Sequence, residues 1–344
     1  MSIKTAVQFQ TPIFVGVDVG GTNIKIGIVD DRGQTIADGK FPTHPGKSSR
    51  FAFEQAKREL DQLIATTSFT WSDVCAVGLG TPGPMDIRTG KILTPTNLPG
   101  WHHSPIRDEL AEIVGKPVTL ANDAGAAAFG EYWVGSGHHY DSLVLLTLGT
   151  GVGGGIIVDG VSIDGFHSHG AEVGHMTIDT CRRARMCGCG QPGHLEAYAS
   201  ATALVDRTRE AMSVNTKHDG RSLLNDQISD DSPLSALMIA EAASAGDALA
   251  GKMIAETASY LGTGIALLAH IIDPAAFVLG GAMNFGGSAH PLGQKFIADV
   301  VAATRKLVFP VLAEKLVVEF AALGGSAGFV GAAGLARQQY RKNN

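Results

Sequence analysis

The apolar and polar positions divide the chain into short apolar runs that alternate with longer helical patterns. Phe14-Val-Gly-Val-Asp-Val19 enters a turn at Gly20-Gly21, and a second apolar run covers 24–29. Apolar runs of this length, rich in β-branched residues and bounded by glycine, predict buried strands. The same plan returns at Leu143-Val-Leu-Leu-Thr-Leu148, the turn Gly149-Thr150-Gly151, and Ile156-Ile-Val-Asp159. Asp18 aligns with Thr147, Gly20 with Gly149, and Val29-Asp30 with Val158-Asp159, so the pattern predicts two related half-molecules. Further strands are predicted at 75–79, 117–120, 142–148, 276–279 and 316–320. Helical periodicity predicts helices over 51–66, 104–114, 123–133, 234–244, 248–270 and 326–341, the second capped by Ser104 with Pro105 at its first position. The polar stretch 213–233 reads as a surface insertion. Strands alternating with helices define an α/β fold. Ligands in such folds bind at the carboxyl ends of strands, where Gly20, Gly80, Asp123, Gly149 and Gly280 fall.

Glycine permits positive φ and close backbone approach, and successive N–H groups pointing one way make an anion-binding concavity. One glycine turn is often no more than a tight hairpin. Two in matching phase would grip a polyphosphate from both sides. Asp18, at the start of the first turn, would hold Mg²⁺, which needs few carboxylates because it keeps several waters. Two other nucleotide motifs fail. Gly149-x-Gly151-x-x-Gly154 matches the dinucleotide fingerprint in letters, with Glu172 at a superficially suitable distance. It runs into a β-branched strand pattern rather than a helix. Gly46-Lys47-Ser48 lacks the earlier glycine of a Walker A loop, because Phe41 stands there.

The 344 residues suggest two domains, and 44% hydrophobic content is enough for sizeable cores. A net charge of −6 argues against nucleic acid as a partner, yet leaves anionic ligands open, because backbone N–H groups bind phosphate without cationic side chains. The longest apolar stretches are broken by Gly, Asp273 and Pro274, which argues against a membrane span, and no export signal is legible. A cytoplasmic protein is expected. Three of the four cysteines, Cys181, Cys187 and Cys189, fall close together, a clustering that favours metal over disulfide.

Asp123 stands where a strand gives way to a helix. It serves there as a helix N-cap, as a general base toward a hydroxyl, or as both. Asn97, in Thr94-Pro-Thr-Asn-Leu-Pro-Gly-Trp101, either forms a turn or offers donor and acceptor to a sugar hydroxyl. Glu172, His175 and Glu196 together suit a polyhydroxy ligand, although Glu196 equally answers a helix dipole. Cys187 and Cys189, with His175 upstream and His194 downstream, supply two thiolates and two imidazoles for a tetrahedral structural Zn²⁺. Cys181 is an alternative fourth ligand.

These motifs resemble, in order, those of the ROK sugar kinases, in their bacterial glucokinase branch. The matching segments are Asp18-Val-Gly-Gly-Thr22, Gly80-Thr-Pro-Gly-Pro84, Asn97-Leu-Pro-Gly-Trp101, Asn122-Asp123, Leu148-Gly-Thr-Gly-Val-Gly-Gly154, Glu172-Val-Gly-His175, Cys187-Gly-Cys-Gly190, Glu196-Ala-Tyr-Ala-Ser200 and Leu279-Gly-Gly281. The resemblance implies the duplicated actin-like ATPase (ribonuclease H-like) fold, with two α/β domains flanking a cleft. The expected division is 1–121, 122–325, and a C-terminal helix over 326–344 packing back on the smaller domain. It implies ATP-dependent phosphorylation of the 6-hydroxyl of glucose, with Asp123 as catalytic base and sugar contacts from Asn97, Asn122, Asp123, Glu172, His175 and Glu196. It places the phosphates against Asp18, Gly20, Gly21 and Thr22 and against Gly149, Thr150 and Gly151, with Gly280 and Gly281 near the adenosine. Zinc falls to His175, Cys187, Cys189 and His194. The family usually has a cysteine where this chain has His194, so the fourth ligand is where it departs. A dimer or tetramer is expected. Other hexoses, N-acetylhexosamines and a polyphosphate donor stay open as substrates. A sugar-responsive repressor would need a helix-turn-helix before residue 14, for which the first residues are too few. A nicotinamide oxidoreductase would need the rejected fingerprint.

Overall fold

The computed structural model describes residues 9–214, 222–228 and 233–344. In chain order the strands are β1 (Ile13–Val19), β2 (Asn23–Val29), β3 (Thr35–Pro42), β4 (Val74–Thr81), β5 (Met85–Asp86), β6 (Lys91–Ile92), β7 (Val118–Asn122), β8 (Ser142–Leu148), β9 (Val152–Val158), β10 (Val161–Ser162), β11 (Ala276–Gly280) and β12 (Val318–Phe320). The helices are α1 (Ser49–Ala65), α2 (Ile106–Val114), α3 (Asp123–Trp133), α4 (Glu196–Ala199), α5 (Ala201–Val214), α6 (Leu224–Gln227), α7 (Ala236–Ser244), α8 (Ala248–Ile272), α9 (Pro291–Arg305), α10 (Pro310–Lys315) and α11 (Ala327–Asn343). Most of the expected insertion at 213–233 lies outside the described residues.

The chain forms two compact units. One comprises the chain up to Ser142, Gly155–Ala171 and Ala322–Asn344; the other comprises Leu143–Gly154 and Glu172–Ala321. This division runs differently from the expected segments. Helix α3 belongs with the first sheet because it packs along α11, which itself lies on β1 and β4.

The first sheet has the order β3-β2-β1-β4-β7, and the second repeats it as β10-β9-β8-β11-β12. In the first, β1 pairs antiparallel with β2 and parallel with β4. In the second, β11 runs parallel to both β8 and β12. Strands β1 and β2 correspond to β8 and β9 end for end at one constant offset in numbering. The duplicated α/β fold read from the sequence is therefore present as topology.

In the first unit, Val15, Val17, Ile24 and Ile26 turn to a core closed by Phe53 and Leu60 of α1 and Leu110 of α2. On the opposite face, Phe14, Val29 and Ala76 meet Phe329, Val330 and Ala333 of α11. Both faces are covered, so β1 reads as a continuous apolar run rather than as an alternation. Contact with α11 is at backbone distance: a Cβ added to Gly16 or Gly78 would overlap the carbonyl of Phe329 or Ala332. In the second unit α8 and α9 cross closely at Gly262, where an added Cβ would lie 2.6 Å from that of Ala303.

Two local expectations need correction. Helix α2 begins at Ile106 behind Pro105, and Ser104 makes no side-chain cap. Its place is taken up in a turn instead, where the Ile106 N–H donates to the Ser104 carbonyl. The cap of α3 is Asn122, whose side-chain oxygen accepts from the N–H groups of Ala124 (2.9 Å) and Gly125 (3.2 Å). Asp123 is then the first residue of the helix rather than its cap.

Candidate active site

In the first unit the suspect residues converge at the carboxyl ends of the strands. Parallel register puts Asp18 of β1 opposite Gly80 of β4, and Thr81 opposite Asn122 of β7. A Cβ added to Gly80 would lie 3.8 Å from the Cα of Asp123, and one added to Gly83 would lie 4.0 Å from the side-chain nitrogen of Asn122. The segment after β4 thus wraps the start of α3. The first glycine turn closes by Gly20 donating to the Asn23 carbonyl at 3.0 Å. Thr43 supports it, its hydroxyl donating to the Gly20 carbonyl at 2.6 Å and its N–H to the Thr22 carbonyl at 3.0 Å. Asn97 stands beside the turn: a Cβ at Gly21 would be 3.5 Å from that of Asn97.

Asp18 and Asp123 are electrostatic neighbours. Burial pushes the Asp18 carboxyl up from an ordinary 3.8 to about 6, the Asp123 charge adds to the shift, and Lys25 opposes it. Lys25 pairs with Asp18 across the hairpin and donates its ammonium to the Gly325 carbonyl at 2.8 Å. A carboxylate held so high is one that a divalent cation would stabilise, since the cation supplies the positive charge its surroundings lack.

In the second unit the register repeats, with Thr147 of β8 opposite Gly280 of β11. The second glycine turn closes by Gly149 donating to the Gly151 carbonyl at 3.0 Å. The start of α5 holds it, Ala201 donating to the Gly149 carbonyl (2.8 Å) and the Thr202 hydroxyl to the Thr150 carbonyl (2.9 Å). Gly281 has φ +91°, and an added Cβ would overlap the backbone of Leu148. Only glycine meets both demands. Because Val152–Val158 is a strand, the glycines at 149–154 do not open a helix, and the dinucleotide reading has no structural support.

Glu196, first residue of α4, links two parts of this unit. One oxygen accepts from the N–H of Val152 at 3.0 Å, while the other lies 3.6 Å from the Cys187 sulfur. His175 closes a short 3-10 helix, Val173–His175, directly after the exposed Glu172.

His175, Cys187, Cys189 and His194 bring one ligand atom each within 4.8 Å of all the others. The sulfur of Cys187 is 3.7 Å from Nδ1 of His175, and that of Cys189 is 3.2 Å from Nδ1 of His194. Ligand atoms around tetrahedral zinc sit about 3.3–3.8 Å apart, given Zn–S and Zn–N bonds of roughly 2.3 and 2.0 Å. Spacing and donor chemistry both fit. Burial pushes the Cys187 thiol up to about 11, so its thiolate at neutral pH needs a cation beside it. Cys181 is exposed and stands outside this cluster.

The sequence pattern of the ROK family matches residues 14–339. The chain belongs to the ROK family. Its relatives include the glucokinase of Halalkalibacterium halodurans, 34% identical over 328 residues that cover 95% of each chain. Among solved structures, the ROK hexokinase of Thermus thermophilus superposes with a TM-score of 0.78 at 32% identity, covering 96% of this chain and 99% of that one. The ROK glucokinase of Streptomyces griseus, solved in complex with glucose and AMPPNP, gives 0.75 at 35% identity, covering 95% and 99%. The duplicated sheets described above are the actin-like architecture of this family. Among the described residues of this ROK chain, no helix is long and apolar enough to cross a membrane.

Several residues that shape the site escaped sequence reasoning. Thr43, Asp179 and Arg185 carry no motif, and Tyr198 stands inside the 196–200 motif without a role that the motif names; their roles come from tertiary hydrogen bonds. Away from the site, near the C-terminal end of α3, Glu131 also escaped it, fully buried and accepting from Ser136, Ala322 and Leu323 N–H groups. Its only sequence signal is a charge in an otherwise apolar helical stretch.

Proposed function

We propose that this ROK protein transfers the terminal phosphoryl group of ATP to the 6-hydroxyl of glucose, with Asp123 as general base. The observation that carries the base assignment is the meeting of Asp123 with Asp18 and Asn122 at the ends of β1 and β7. The glucokinase relatives support the choice of sugar and of nucleotide.

In this reading the Asp123 carboxylate takes the hydroxyl proton as the sugar oxygen attacks the γ-phosphorus. Positioning and charge stabilisation supply most of the rate, because phosphoryl transfer asks for little covalent chemistry from the protein. The N–H groups of the turns at Gly20–Thr22 and Gly149–Gly151 bind phosphate oxygens. The backbone at Gly280-Gly281, which admits no side chain at Gly281, lies against the adenosine. Asp18 holds Mg²⁺, whose chemistry is to neutralise phosphate charge. Asn97, Asn122, Glu172, His175 and Glu196 hold sugar hydroxyls, so that one hydroxyl alone meets the phosphate. His175, Cys187, Cys189 and His194 hold a structural Zn²⁺ that fixes the loop carrying two of those ligands. A metal-bound imidazole keeps one tautomer, which leaves its second nitrogen for a hydroxyl.

The test is steady-state turnover on a hexose panel that includes N-acetylated sugars, with ATP and polyphosphate compared as donors. Glucose with ATP should give the highest kcat/KM. Asp123→Ala should lower kcat about 10²–10⁴-fold, the usual worth of a positioned base, with sugar binding retained. Near-normal turnover in that variant would sink the base assignment. A chain that phosphorylates no hexose would sink the kinase reading.

A further inference from the structure

Tyr198 is almost wholly buried, at 3% exposure, two residues after Glu196. Its hydroxyl donates to the Asp179 carboxylate at 2.6 Å and accepts from the Arg185 N–H at 2.7 Å. Asp179 and Arg185 lie on the two arms of the loop between His175 and His194. One oxygen atom therefore ties both arms to α4. The arms are also stitched directly, Ile178 donating to the Gly193 carbonyl and Gly193 to that of Arg185, each at 2.8 Å. Outside the loop, the Arg185 guanidinium donates through both terminal nitrogens to Glu210 of α5, at 2.7 and 2.8 Å, and through Nε to the Ala197 carbonyl at 3.2 Å. The Tyr198 ring packs on Tyr260 of α8 with centroids 4.8 Å apart, so the phenol is anchored in the core.

The segment 196–202 has contacts in two directions. Through Tyr198 and Glu196 it reaches the metal-binding loop. Through Glu196, Ala201 and Thr202 it reaches β9 and the second glycine turn. We propose that Tyr198 is a positioning residue, whose hydroxyl sets the loop bearing His175, Cys187 and Cys189 against the helix bearing Glu196 and so fixes the sugar ligands relative to one another. This rests on the sugar-kinase reading, and it goes beyond it by giving a role to a residue that touches neither metal nor substrate. A hydroxyl shared between a charged acceptor and a backbone donor is directional, so phenylalanine of the same shape keeps the packing and loses the tie.

The experiment compares the full-length wild type with Tyr198→Phe and Asp179→Asn. Zinc release is followed with a chromophoric chelator in the absence of substrates, and glucose KM, ATP KM and kcat are measured separately. Groups that orient metal ligands typically contribute about 10–100-fold to metal affinity, so Tyr198→Phe should release zinc at least roughly tenfold faster. Glucose KM should rise about tenfold, while ATP KM and kcat stay within roughly threefold. Asp179→Asn keeps an acceptor for the hydroxyl and should lie between the two. Zinc release and glucose KM both within about twofold of wild type overturn the proposal. So does faster release with unchanged glucose KM, because the loop would then hold metal without placing sugar. A lowered melting temperature alone also overturns it. A wild type that holds stoichiometric zinc but phosphorylates no hexose sinks the kinase reading alone, and zinc release then decides the tie. A wild type without zinc sinks the metal centre and the tie together.

Discussion

Asp18 is the residue whose chemistry is most exposed to test. Its folded pKa of about 6 stands above the ordinary 3.8, chiefly through burial and then through the Asp123 charge. Between those two pH values the folded chain keeps a proton that the unfolded chain has released. Stability therefore falls as pH rises from about 4 to 6 and stays lowered above that. The shift corresponds to about 3 kcal/mol, taken at roughly 1.4 kcal/mol per pKa unit. Asp18→Asn removes that cost, so in the ligand-free protein it should raise the midpoint of urea denaturation at pH 8 and leave it nearly unchanged at pH 4. If Asp18 holds the cation as proposed, phosphoryl transfer should nonetheless be lost at both. A variant that is no more stable at pH 8 than the parent would show that the ionised Asp18 carries no such cost, whether from burial or from the Asp123 charge. The arrangement is a stability cost held at the candidate site, and functional sites are the expected place for a local rule to be broken.

Elements were legible where both the packing and its sequence signal were apolar. The buried strand β8 falls on the predicted 142–148, and α8 is read within two residues of its end. What stayed hidden has a common cause. Strand β3 is an edge strand, with Asp38, Gly39 and Lys40 in its middle and Ile36, Ala37 and Phe41 packed against apolar neighbours, so its alternation is faint. Helix α5 buries Arg207 and Thr208 beside Ala203 and Leu204, which breaks the apolar period. Helix α9 did carry a signal, His290 before Pro291 and then Phe296 and Val300, and it begins with that cap. At the candidate site, residues whose side-chain chemistry suits a ligand were readable, while Tyr198, although inside the 196–200 motif, and Thr43 act through tertiary hydrogen bonds that no local pattern encodes. The glycines facing α11 were visible as letters but not as contacts. Adding a Cβ at Gly78 would drive it into the Ala332 carbonyl, and backbone on both sides leaves nothing flexible to yield. Gly78→Ala should cost about 3 kcal/mol, at the upper end of ordinary overpacking. Gly251→Ala, in α8 with open space around it, should instead stabilise by about 0.5–1 kcal/mol through helix propensity alone. Denaturant titration of the pair checks both signs, and equal effects would discount the close approach of α11.

At the scale of the molecule, one topology has been used twice and given different chemistry each time. Both sheets have the same strand order and the same strand–glycine–strand hairpin, and the parallel partner of the hairpin's first strand carries glycine at the matching position, Gly80 in one and Gly280 in the other. They part at the residue facing that glycine, which is Asp18 in the first sheet and Thr147 in the second. They part again beyond β9, where, among the described residues, the second half alone carries a Cys/His cluster, in the loop before α5. The difference at 18 and 147 has an electrostatic reason. If both hairpins bind one polyphosphate, a single carboxylate with its cation neutralises charge, while a second without a cation repels the ligand. Thr147 offers a hydroxyl and no charge. Thr147→Asp should therefore raise ATP KM at least roughly tenfold, equivalent to about 1.4 kcal/mol, with a much smaller change in glucose KM. Thr147→Ser, which keeps the hydroxyl, should stay close to wild type. If the aspartate variant bound ATP as well as its parent, the second hairpin would not be a phosphate site, and the duplication would be a matter of architecture alone.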